Sequence, residues 1–184
     1  MWWARLLNNI SGFLGGATPI IGDYESIATT IVGSGGTSSI NFGTIPSTYK
    51  HLQIRGIAQC GGSFLTMRAN GDSGSNYDAH EVYGNGSGNA QAAAFITRTN
   101  MVIDFMPAST VYGAFVLDIL DYRSTSKNKT MRGLCGFDSN GGGVLGLMSG
   151  LWRNNTTAIT SLEIVPASGS IAQYSHFALY GIKG

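Results

Sequence analysis

Hydrophobic and polar positions along this chain follow two different periods. In the opening stretch MWWARLLNNISGFLGG, residues Trp3, Leu6, Leu7, Ile10, Phe13 and Leu14 fall at helical spacing on one face, and Gly15-Gly16 stops the run. This predicts a short amphipathic N-terminal helix. After Ile20 the period drops to two. The segments YESIATTIV, TSSINF, HLQIRGIAQ, FLTMRAN, NMVIDFM, GAFVLDIL, TMRGLCGF, GVLGLMSGLW, ITSLEIV and HFALYGI are rich in β-branched and aromatic residues, and clusters such as GSGG, GNGSGN, SNGGG and ASGS separate them. About ten strands with no helical pattern between them predict an all-β fold, an antiparallel, jelly-roll-like β-sandwich. In HLQIRGIAQ, Leu52, Ile54 and Ala58 take one face and His51, Gln53, Arg55 and Gln59 the other, so one side is core and one is wet. Gly56 within this run suggests a bulge or a close backbone contact.

The change of period also divides the chain. Residues 1–20 read as an anchoring segment and residues 21–184 as a β-sandwich knob domain, a size that suits one core. A helix of about 14 residues is marginal alone in water, and leaving Trp2 and Trp3 exposed forgoes several kcal/mol at about 25 cal/mol per Å². The segment therefore needs a surface: its own domain, copies of itself, or a larger assembly. Gly15, Gly16 and Pro19 make a pliable joint that favours an external partner, with Trp2, Trp3, Leu6, Leu7, Ile10 and Phe13 as the contacting residues. Arg5 is the only cation in the helix, where membrane-surface helices carry several. The apolar stretch is also broken too early for a secretory signal, and no stretch reaches the roughly 18 apolar residues of a membrane span.

Composition narrows the function classes. Charged residues make up 11% of the chain, against about 25% in an average globular protein. A net charge of +1 offers no footprint for nucleic acid, whose phosphates demand clustered Lys and Arg. Two cysteines, Cys60 and Cys135, are too few for a disulfide scaffold and form no zinc motif. Both fall on apolar strand positions, so they read as buried thiols or as a bridge between adjacent strands. A chain made in a reducing cytosol fits this sparse cysteine usage best.

Candidate chemistry is sparse. GGGVLG, Gly141 to Gly146, matches the dinucleotide fingerprint in letters, but a strand rather than a helix follows it. There is no GxSxG elbow, HExxH pair or Walker lysine. His51, His80 and His176 stand apart in sequence. Asp118 sits on the face of its strand opposite Phe115, Leu117 and Ile119, and Asp121 begins a turn, so the two do not read as a paired acid and base.

The stretch NGDSGSNYDAHE, Asn70 to Glu81, spaces side-chain oxygens much as a calcium loop does. It has Ser75 where such a loop needs Gly and Asn70 where it leads with Asp, and strands flank it. Asx turns by Asp72, Asn76 and Asp78 are the simpler expectation. They would order a surface excursion from which Tyr77, His80 and Tyr83 project. No catalytic, cofactor-binding or metal-binding residue is assigned.

The strings YESIATTIV, STYKHLQIRGIA, RANGDSGSNYDAHEVYGNG, GAFVLDILDY, SGLWRNNTTAITSLEI and FALYGIKG resemble a β-rich module of tailed-bacteriophage structural proteins, especially tail-fibre-like and other virion surface proteins. The resemblance runs from Tyr24 to Gly184 and leaves the first 20 residues outside. It implies a virion component without enzymatic activity, made in the host bacterial cytoplasm, and it transfers no catalytic residue. On this reading the chain is a small trimeric tail fibre or spike. Its N-terminus docks on other phage virion proteins and its knob faces the host. The alternative is a capsid decoration, or cement, protein. A glycan-active enzyme lacks its acid and base. Tyr77, His80, Tyr83 and Asn85 are the host-binding candidates, because aromatic rings stack on sugar faces and amides pair with hydroxyls of a surface glycan.

Overall fold

The computed structural model describes residues 22–108 and 111–184. The expected N-terminal helix, with Trp2, Trp3, Leu6, Leu7, Ile10 and Phe13, lies outside the described residues. The rest is all-β. Twelve strands follow in order: β1 (Tyr24–Ile31), β2 (Ile40–Phe42), β3 (His51–Ala58), β4 (Phe64–Ala69), β5 (Tyr77–Gly84), β6 (Gln91–Arg98), β7 (Met101–Phe105), β8 (Gly113–Leu120), β9 (Lys129–Asp138), β10 (Gly143–Trp152), β11 (Leu162–Pro166) and β12 (His176–Ile182). Among the described residues no helix is long and apolar enough to cross a membrane.

Two antiparallel sheets form, one of eight strands in the order β1-β12-β3-β8-β9-β10-β5-β6 and one of four in the order β2-β11-β4-β7. Alternation along each strand decides which face is core. In β8, Phe115, Leu117 and Ile119 are buried while Ala114 is exposed and Val116 and Asp118 are half-buried. In β3 the expected split holds, with Leu52, Ile54 and Ala58 inside. The smaller sheet turns Ile40, Phe42, Leu162, Ile164, Leu65, Met67 and Met101 to the same core, so the two sheets pack as a sandwich.

Large side chains fit across the sandwich because glycines make room for them. A Cβ on Gly181 of β12 would stand 2.3 Å from the ring of Tyr49, and one on Gly150 of β10 would stand 2.3 Å from the Met101 sulfur. Gly56 has the same purpose. The pairing of β3 with β8 is unbroken at that point, and a Cβ there would come within 2.4 Å of Phe115. Close contact, not a bulge, explains this glycine.

Both cysteines are buried and no bridge joins them; the Cys60 thiol donates to the Phe64 carbonyl at 3.5 Å. The sequence-based expectation fell short at β5 and β6. β5 begins inside the Asn70 to Glu81 stretch that reads as a polar excursion, and β6 follows it without a strand signal of its own.

Candidate functional site

The oxygens of Asn70 to Glu81 do not converge. Asn70, at φ 53°, turns away toward residues 158–161, accepting from Thr160 N at 2.8 Å and donating to the Ala158 carbonyl at 2.8 Å. The Asp72 carboxylate takes the Gly74 N–H at 2.8 Å, the Asn76 amide at 3.0 Å and the Trp152 indole N–H at 2.7 Å. Burial pushes the Asp72 carboxyl up, but these donors outweigh it and hold the group below its ordinary value. Asp78 accepts from Thr97 N at 2.7 Å and pairs with Arg153 at 3.3 Å. Glu81 points inward and is buried, which raises its carboxyl above the usual range. Among the described residues, no group of three or more His, Cys, Asp or Glu side chains is placed to hold a metal ion. Asx-turn chemistry at Asp72 is what the loop shows.

The host-binding candidates separate as well. Only Asn70 to Asn76 form a loop, and β5 begins at Tyr77. Period two therefore sends Tyr77 and Tyr83 inward and His80 outward. Tyr77 is 0% exposed, a correction to the expectation that it projects from the surface. Its hydroxyl accepts from Ala69 N and donates to the Asp72 carbonyl, both at 3.0 Å, and its ring lies nearly parallel to Trp152. Tyr83 is half-buried with its ring 4.9 Å from Phe105, and its hydroxyl donates to Gln91 at 2.6 Å. Asn85 is exposed in the β5–β6 turn, where its Oδ1 accepts from Ser87 N at 3.1 Å. His80 is exposed in mid-sheet.

The surface that the structure does assemble is the outer face of the eight-stranded sheet. Three successive cross-strand rows build its middle. Arg55, Val116, Leu134, Leu147 and Val82 stand in register from β3 to β5. On one side of them runs a polar row, Gln53, Asp118, Arg132, Ser149 and His80, and on the other Ile57, Ala114, Gly136, Leu145 and Gly84. Leu134, Leu147, Leu145, Ile57 and Val82 are 49%, 55%, 62%, 51% and 44% exposed. The face is concave over β8, β9, β10 and β5, with a hollow of about 700 Å³ floored by Val82, Val116, Leu134 and Leu147 and edged by His80, Asp118, Arg132 and Ser149. Asp118 accepts from Gln53 at 2.7 Å and from Arg132 at 2.8 Å. Toward β1, Tyr24 and Tyr180 stack at 4.7 Å, with the Arg55 guanidinium 5.3 Å from the Tyr24 ring.

Scattered exposed leucines need no explanation, whereas a contiguous row does. Sealing such a half-exposed side chain from water is worth roughly 1 kcal/mol. This surface was readable in part from the letters. GVLGLMSGLW is apolar at both parities, which marks a strand with partners on two sides. Only one side is filled by the smaller sheet.

No protein-family model matches the chain, and no curated protein matches it.

Proposed function

We propose that this chain is a non-enzymatic structural protein of a bacteriophage virion, a small homo-oligomeric tail fibre or spike, trimeric in this reading. A jelly-roll-like sandwich forms the knob, and residues 1–20 attach it to other virion proteins. The single observation that carries the proposal is the apolar outer face of the large sheet. It is a broad interaction surface on which Asp118 is already committed to Gln53 and Arg132, while Glu81, the other acidic residue at the hollow, is buried. The likeness of YKHLQIRGIA and FALYGIKG to phage virion modules supports the particle as the setting. His80 and Asn85 remain exposed for contacts with a host glycan, while Tyr77 does not.

Antibody labelling of intact particles by electron microscopy tests the proposal. Label at the tail is the expected result. Label over the icosahedral head would replace the fibre with a decoration protein, and label on neither would remove the virion reading altogether.

A further inference from the structure

We infer that the outer face of the eight-stranded sheet, centred on β8, β9, β10 and β5, is the surface by which one copy of this chain docks on another. The inference rests on the homo-oligomeric reading above and adds to it the location and the residues of the contact.

Three observations single out a second copy as the occupant. The first is area. Eight strands spaced about 4.8 Å apart, with about seven residues each at roughly 3.3 Å, give a face of about 38 by 23 Å, or roughly 900 Å². A stable protein interface needs about 800 Å² per partner. The second is composition. In the three rows from Gln53 to His80, from Arg55 to Val82 and from Ile57 to Gly84, the formal charges are Arg55, Asp118 and Arg132 alone. Exposed leucine, valine and isoleucine over a charge-poor sheet match the depletion of charge at the core of subunit interfaces.

The third is self-complementarity. A surface that meets itself must present something its own copy can use. Asp118 and Arg132 sit side by side on adjacent strands, and Arg132 spends its Nε on Asp118 while its side chain stays 71% exposed. Its outward N–H groups are placed to reach a carboxylate on a facing sheet, and Asp118 is such a group on the next copy. The apolar row alongside is equally able to meet its own image. A nucleic acid or an acidic partner would find a net charge of only +1 here, without the clustered Lys and Arg that phosphates demand.

The test uses the full chain. Sedimentation equilibrium on wild type, on Leu134→Glu with Leu147→Glu, and on the milder Leu134→Ser with Leu147→Ser reads the mass directly. Far-ultraviolet circular dichroism and cooperative melting check each fold. Wild type is expected at the mass of two or more chains. Either folded double variant is expected to fall to one chain, with the serine pair keeping the answer readable if the glutamates disturb the fold. Wild type at single-chain mass would overturn the oligomeric reading and this assignment together. An oligomer whose mass both folded variants retain would overturn the assignment alone and place the contact elsewhere, the Trp2–Phe13 segment being the next candidate.

Discussion

The indole of Trp152 donates its N–H to the Asp72 carboxylate at 2.7 Å, tying the last residue of β10 to the loop that precedes β5. Trp152 and Tyr77 are strand neighbours in register, and the Tyr77 hydroxyl reaches the Asp72 carbonyl from inside the sandwich. Three residues far apart in type thus close one corner of the molecule.

Replacing Asp72 by Ala should therefore destabilise the domain by about 1.5–3 kcal/mol, the range for hydrogen bonds to a charged group. Trp152→Phe loses the donor and also the five-membered ring of a side chain that is 1% exposed, so its cost should be at least as large. The Asp72 carboxyl is held below its ordinary value, so its contribution is present above the unfolded-state pKa and is lost as pH falls through the folded one. Thermal melts between neutral and strongly acid pH should show Asp72→Asn flattening that dependence. Adding a chelator should leave the wild-type midpoint unchanged, since the Asp72 oxygens are already engaged. A midpoint that drops with chelator and recovers with calcium would contradict this account of the loop.

Alkaline pH should act on Tyr77. Burial pushes its phenol up to about 12 from an ordinary value near 10. The folded state thus holds its proton where the unfolded chain releases it. The stability linked to this group is intact below about pH 10 and disappears as pH climbs toward 12. Tyr77→Phe should remove this alkaline dependence while costing about 1–3 kcal/mol at neutral pH, because Ala69 N–H and the Asp72 carbonyl lose their partner. Urea titrations at pH 8 and above pH 10 would check both halves. Tyr77→Ala should cost about 3–5 kcal/mol as a large-to-small core change, so any loss of cell binding by that variant would report unfolding.

Two glycines on the inner face of the same sheet should behave in opposite ways. Gly181→Ala drives a methyl into the Tyr49 ring at 2.3 Å and should cost about 1–3 kcal/mol or more through overpacking. At Gly133 the nearest atoms stand 3.5 Å away, so Gly133→Ala should fall close to neutral or stabilise slightly. Equal effects in denaturant melts would sink the argument that the ring of Tyr49 is what requires glycine in β12.

Deleting residues 1–20 should leave a cooperatively melting, β-rich domain that no longer incorporates into particles. The described core closes without them, from Val32 and Ile40 to Leu179. Precipitation, or loss of a cooperative transition, would instead assign the Trp2, Trp3 and Leu6 face to the core of its own domain.

Most strands were legible because their apolar, β-branched and aromatic runs are bounded by turn residues. GAFVLDIL, GVLGLMSGLW and HFALYGI coincide with β8, β10 and β12. β5 was hidden by its own inward residues. YDAHEVYG buries Tyr77, Ala79 and Glu81 in one row, and a carboxylate on the core side breaks the apolar signal on which the period depends. β6, QAAAFITR, is an edge strand with no buried side chain, so burial left no mark on its sequence. Missing that hairpin is also what misplaced Tyr77 and Tyr83 on a loop. The outer face was half visible in the doubly apolar β10. Its width depends on the strand order, which brings β3 and β8 from one part of the chain beside β9, β10 and β5 from others, and no local pattern encodes that.

β1 pairs with β12 so that Tyr24 lies opposite Ile182, Lys183 N donates to the Asp23 carbonyl at 2.9 Å, and the Lys183 ammonium meets Glu25 at 2.9 Å. The chain thus enters and leaves the sandwich at one corner, and the β5–β6 turn is carried on the strands at the other end of the sheet order. A reporter fused after Gly184 would crowd whatever grips the leading residues. One inserted at Asn85 would stand clear of it, and a circular permutant opened at that turn and joined across the Gly22 corner should retain the fold.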